Sequence, residues 1–208
     1  EGIMNGDSYL SMYKYGEQFE NEFSSYVGTD YAVACNSGTS ALELIFRGLG
    51  IEDKEVILPS NTFLATAIAI INAGGRPIFA DCKEDMCIDY QDVSKKINRK
   101  TAAVIIVHIG GLISRDIFKL RDLCEDKNIY LVEDAAQAHG SSLDGFKAGS
   151  IGIASGFSFF STKVMTTGEG GMVTTNDFEL AEKMKSMREF GKVKKGIITN
   201  YHQYFGYN

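Results

Sequence analysis

Seven short apolar runs, separated by stretches of helical periodicity, constrain what this chain can fold into more than any other feature. The runs are Tyr31–Cys35, Glu55–Leu58, Pro77–Ala80, Ala103–Val107, Tyr130–Glu133, Gly156–Phe159 and Gly171–Thr174. Their hydrophobicity is continuous rather than alternating, as expected of strands covered on both faces. Between them, Ser40–Gly48 places Ala41, Leu44, Ile45 and Gly48 on one helical face, and Thr66–Ala73 and Ile117–Asp126 also read as helices. Alternating strand and helix imply an α/β three-layer sandwich, a mainly parallel seven-stranded sheet with helices on both sides. One link breaks the pattern. Met165–Gly170 is too short for a parallel crossover, which needs roughly a dozen residues. The run from Gly171 is therefore predicted to lie antiparallel to its predecessor.

A chain of 208 residues can bury one large core, and 44% hydrophobic residues exclude a disordered chain. A net charge of −6 with no long basic run argues against a dedicated nucleic-acid binder. No apolar run approaches the length of a membrane span, and Glu1–Asp7 has neither the basic nor the apolar region of a signal peptide. The expected location is cytoplasmic. Cys35, Cys82, Cys87 and Cys124 form no Cys-x-x-Cys pair and have no His at zinc spacing. They read as buried, reduced thiols, and no metal site is expected.

Two segments carry chemistry. Leu131-Val132-Glu133-Asp134-Ala135-Ala136-Gln137-Ala138-His139 ends an apolar strand with a carboxylate, and Phe157-Ser158-Phe159-Phe160-Ser161-Thr162-Lys163 puts a lysine just past an aromatic strand. Together they offer an amine able to form a Schiff base and an acid able to pair with a pyridinium nitrogen, the two groups that pyridoxal phosphate (PLP) chemistry needs. Lys163 is either a surface loop lysine or one partly desolvated by its aromatic neighbours, which would lower its pKa and free the amine. Asp134 either caps a helix beginning at Ala135 or, buried, requires a cationic partner. Gly38 and Thr39 stand between a strand and a helix. There Ser37 or Thr39 could be a plain cap, or the open amides could bind a phosphate that approaches closely because Gly38 has no side chain. Phe63 could be core or could stack on a flat ring.

These residues resemble the DegT/StrS family of PLP-dependent sugar aminotransferases, of aspartate-aminotransferase-like fold (type I). The motifs occur in family order: Asn36-Ser37-Gly38-Thr39-Ser40-Ala41-Leu42, Pro59-Ser60-Asn61-Thr62-Phe63-Leu64-Ala65-Thr66, Glu133-Asp134-Ala135-Ala136-Gln137, and Ser158 to Lys163 with the tail Gly168-Glu169-Gly170-Gly171. The resemblance implies a fold type I large domain. It makes Lys163 the cofactor-bearing catalytic lysine and Asp134 the ring-nitrogen partner. It gives Gly38, Thr39 and Ser158 to the phosphate, Phe63 to stacking, and Gln137 to the 3-hydroxyl side of the ring. Asn208 aligns with an asparagine that reaches the cofactor phosphate of the neighbouring subunit. His139 either sits behind Asp134 as a donor or is an ordinary satisfied histidine. Val164 stands where asparagine is common, which leaves the subfamily open. Relatives with histidine in place of this lysine are sugar dehydratases, so Lys163 favours transamination.

Toward the C-terminus, Phe178–Phe190 reads as an amphipathic helix with Leu180, Met184 and Met187 at helical spacing. By the resemblance, residues 1–190 are the PLP-binding large domain and 191–208 begin a linker to a small C-terminal domain that this chain lacks. Without that domain the Met184/Met187 face is expected to want a partner. Lys192, Lys194 and Lys195 are either a solvated basic loop or contacts for a nucleotide's phosphates. The function so implied is transfer of an amino group from an amino acid, L-glutamate by resemblance, to a nucleotide-linked keto sugar, by a homodimer with shared active sites. The alternatives are a cyclitol or other ketone aminotransferase, and a catalytically silent paralogue that serves as a binding or regulatory subunit. A plain nucleotide-binding domain lacks support, since neither Gly-x-Gly-x-x-Gly nor a Walker loop occurs.

Overall fold

The computed structural model describes residues 14–195 and 198–206. In chain order the elements are α1 (Lys14–Val27), β1 (Tyr31–Cys35), α2 (Gly38–Leu49), β2 (Glu55–Pro59), α3 (Leu64–Asn72), β3 (Arg76–Ala80), α4 (Tyr90–Lys96), β4 (Thr101–Val107), α5 (Ile117–Lys127) and β5 (Tyr130–Asp134). A small hairpin β6 (Ser142–Leu143) and β7 (Phe146–Lys147) follows, then β8 (Ala154–Ser158), β9 (Gly171–Thr175), α6 (Phe178–Met187) and a hairpin of β10 (Lys192–Lys195) and β11 (Ile198–His202). Every apolar run is a strand of one seven-stranded sheet, in the order β1-β9-β8-β5-β4-β2-β3. β9 pairs antiparallel with both β8 and β1, while the other pairings are parallel, so the one reversed strand is the one that the short link requires.

The continuous hydrophobicity of the strands divides between two cores because successive side chains point to opposite faces. Val33, Val56, Leu58, Ala103, Ile105, Val132 and Val173 pack with α2, α3 and α6. Ala32, Ile57, Val104, Ile106, Leu131 and Met172 pack with α1, α4 and α5. The result is three layers, helix–sheet–helix.

Local chemistry sets the helix ends. Ser37 opens α2 by accepting from the Ser40 N–H at 3.1 Å, and Gly50 closes it in the left-handed region. Asp177 caps α6 by accepting from Leu180 N at 2.9 Å. That helix stops short of Phe190, because Phe190 and Gly191 both take positive φ. The Met184/Met187 face has its partner within the chain. Both residues are buried in the α2 core, where Gly48 lets Leu180 approach closely. The lysine segment is a strand of the β10–β11 hairpin rather than a loop, and its Lys192 ammonium lies 3.8 Å from Glu189.

The cysteines are free. Cys87 and Cys124 are buried, Cys35 and Cys82 only half-buried. Burial pushes the Cys35 and Cys124 thiols up to about 12. Among the described residues no helix is long and apolar enough to cross a membrane, and no cluster of three or more His, Cys, Asp or Glu could hold a metal ion.

Candidate active site

The loops that follow β1, β2, β4, β5 and β8 leave the C-terminal edge of the sheet together, the usual place for a ligand site in an α/β sheet. They enclose a cavity of about 410 Å³. Gly38, Thr39, Phe63, Asp134, Gln137, Ser158 and Lys163 all line it. These come from four separate segments, and the fold brings them together. Asn208 lies outside the described residues.

At one side of the cavity the N-terminus of α2 meets the end of β8. A Cβ on Gly38 would come within 2.7 Å of the Ser158 Cβ, so the glycine at 38 makes room first for Ser158 itself. The Ser37 hydroxyl is spent on capping. The N–H groups of Gly38 and Thr39 have no acceptor among the described residues. Two open amides at the positive end of a helix dipole, beside a buried serine, form an anion cradle. Ser37 thus takes the capping role, and the amides of Gly38 and Thr39 stay open among the described residues.

Lys163 is carried on the loop joining β8 to β9, and this loop is wired to itself. The Lys163 N–H donates to Phe160 O at 2.9 Å, Thr167 N donates to Phe159 O at 3.0 Å, and Phe159 N donates to Gly170 O at 2.8 Å. The glycine tail has a steric reason, since a Cβ on Gly171 would come within 2.1 Å of Ser37 O. Lys163 is half-buried and makes no side-chain hydrogen bond or ion pair among the described residues.

Asp134 is buried. Its Oδ2 accepts from the Thr66 hydroxyl at 2.7 Å and its Oδ1 from Ala136 N at 3.1 Å. No helix begins at Ala135; the segment turns, so the helix-capping reading of Asp134 is replaced by a hydrogen bond within that turn. Burial raises the Asp134 pKa. The bonds from Thr66 and Ala136 and the charges of His108 and Lys163 oppose that rise without cancelling it.

Three residues were given no role by the sequence reading. Thr66 holds Asp134 and in turn lies 2.7 Å from the Thr62 hydroxyl. Glu133 and His108 form a buried pair, with Nε2 to Oε2 at 2.8 Å. His108 directly follows an apolar strand, the same signal that marks Asp134. Parallel pairing, with Val107 beside Asp134, brings it to the same edge. Gln137 accepts from Gly110 N at 2.7 Å and so ties the turn after β4 to the turn after β5. His139 makes no hydrogen bond to Asp134; it packs against Phe157 and Phe159 at ring distances of 5.3 and 5.2 Å. Phe63 is 73% exposed at the cavity and is not core.

The fold is that of a three-layer α/β domain, with a lysine, a buried acid and a helix end with open amides gathered at one strand-edge cavity of a sheet with one reversed strand. The match to known proteins is specific. Residues 1–208 match the DegT/DnrJ/EryC1/StrS aminotransferase family, and the chain belongs to that family. It is 41% identical over 182 residues to the GDP-perosamine synthase of Vibrio cholerae, covering 86% of this chain and 49% of that protein. The structure of S. venezuelae DesV in complex with a ketimine intermediate superposes with a TM-score of 0.91 at 38% identity, covering 99% of this chain and 55% of that one. The PLP form of Spr1654 from Streptococcus pneumoniae gives 0.88 at 28%, covering 99% and 58%. The chain therefore spans about half the length of the relatives it matches.

Proposed function

We propose that this chain is the cofactor-binding large domain of a PLP-dependent aminotransferase. In this reading it moves an amino group from an amino acid, L-glutamate, to a nucleotide-linked keto sugar in amino-sugar biosynthesis, acting as a homodimer. One observation carries the reading: Lys163, the under-satisfied acid Asp134 and the open amides of Gly38 and Thr39 line a single cavity. These features fit the group. The cradle beside Ser158 suits a phosphate, the raised Asp134 suits a protonated ring nitrogen, and Lys163 Nζ is the amine to which an aldehyde would attach. The sugar acceptor and its nucleotide are supported by the GDP-perosamine synthase relative.

PLP, when bound, supplies an aldehyde carbon and an electron-withdrawing ring. The remaining work falls to the chain. The α2 amides and Ser158 would hold the phosphate, and Phe63 would cover the ring. Asp134, ionised against a cation, would keep the ring nitrogen protonated. Lys163 Nζ would take the proton from the α-carbon of the amino donor as a base and return it as an acid. The acid–base step thus depends on a lysine whose backbone is pinned while its amine stays unpaired.

The test is borohydride reduction of the PLP-loaded protein, followed by peptide mapping. The cofactor label is expected on Lys163, with no transamination in Lys163→Ala. A label on any other lysine would end this assignment.

A further inference from the structure

We propose that Thr66, backed by Thr62, is a positioning residue that fixes the Asp134 carboxylate for the ring nitrogen; the inference rests on the cofactor reading above. Thr66 lies in the first turn of α3, is fully buried, and stands 68 residues from Asp134 in sequence. Its hydroxyl has one proton and two neighbours, Thr62 Oγ1 and Asp134 Oδ2, each at 2.7 Å. An ionised carboxylate can only accept. The Thr66 proton therefore goes to Asp134, and the Thr62 hydroxyl donates to Thr66. Thr62 has no better use for its proton, since Phe63 O is 3.4 Å away. A threonine in a helix commonly returns its hydroxyl to the carbonyl four residues back; here Thr66 directs it out of the helix and onto the acid.

The arrangement leaves each carboxylate oxygen of Asp134 with one protein donor, out of about four acceptor directions in total. The charged groups that face it are His108 at the end of β4 and Lys163 from the β8–β9 loop, with Glu133 beside it on β5. α3 contributes no charge at this point, only the hydroxyl. The turn that sets Phe63 at the cavity thus also sets the orientation of the acid.

The test is a ¹³C NMR titration of Asp134 in the cofactor-free full chain, with Thr66→Val, Thr66→Ser and Thr62→Val. Loss of a hydrogen bond to a charged acceptor is expected to move the Asp134 midpoint upward by about one to two pH units in Thr66→Val. Thr66→Ser should restore it, and Thr62→Val should give a smaller rise. In the PLP-loaded protein, Thr66→Val should lower kcat about tenfold with the KM for the amino donor nearly unchanged. If Thr66→Val does not melt cooperatively, Thr62→Val carries the same test. A Thr66→Val titration that coincides with wild type, or a Thr66→Ser titration that coincides with Thr66→Val, overturns the proposal. If Thr66→Val shifts the acid but wild type gains no visible absorbance on adding PLP, the proposal falls at its cofactor end. That result separates failure of the cofactor reading from failure of the Thr66 contact.

Discussion

Glu133 and Asp134 are adjacent on β5, both are buried, and their surroundings drive them in opposite directions. Glu133 accepts from Ile151 N and Gly152 N at 2.8 Å through Oε1, and from Gly149 N at 2.9 Å and His108 Nε2 at 2.8 Å through Oε2. Its acceptor directions are filled. Burial alone would raise its pKa, but the bond and charge of His108 and the backbone donors of Gly152 and Gly149 reverse the sign and lower it. Because a carboxylate can only accept, His108 Nε2 carries a proton. Among the described residues Asp134 has only two donors, and burial wins. The difference shows how neighbouring acids acquire separate roles. The satisfied one holds the turn after β7 and the end of β4 in place, and the under-satisfied one lines the cavity.

The sharpest way to break this comparison is Glu133→Gln. The amide would turn a donor toward a backbone N–H and unpair the buried site, so we expect a loss of about 3–5 kcal/mol, measured by denaturant unfolding. The acid dependence should change with it. A carboxylate with a lowered folded pKa contributes stability that is fully present above its ordinary value of 4.5 and is lost as pH falls through the lower folded value. Glu133→Gln should therefore flatten the acid limb of the stability curve.

Asp134→Asn should have the opposite sign. An acid raised on folding costs stability above its folded pKa, and that cost disappears as pH falls below the ordinary value of 3.8. The cofactor-free variant is expected to gain about 1 kcal/mol at neutral pH while losing activity about a hundredfold or more in the loaded enzyme. A variant of near-normal turnover would remove Asp134 from the chemistry. Phe63→Ala should give the smallest effect. At an exposed position its folding stability should stay within about 0.5 kcal/mol, while PLP affinity, read by fluorescence titration, falls about fivefold to tenfold.

The limits of the sequence reading are specific. The reversal of β9 was legible because Met165–Gly170 cannot span a parallel crossover, and the strands were legible because both of their faces are apolar. Helix α1 was not recognised: its charged residues outnumber its anchors, and Phe23 and Val27 are seen as core only once Phe157 and Phe159 lie against them. Lys163, Asp134, Gly38 and Ser158 were legible as motifs.

The sequence by itself determined the layer pattern, the reversed strand and the residue types of the site, because periodicity and loop length act over short distances along the chain. Only the tertiary structure decided how the acids divide their roles. Thr66, His108 and the amides of Gly149, Ile151 and Gly152 reach β5 from 16 to 68 residues away. Whether a buried carboxylate is satisfied depends on donors that only the packed sheet brings within hydrogen-bonding distance.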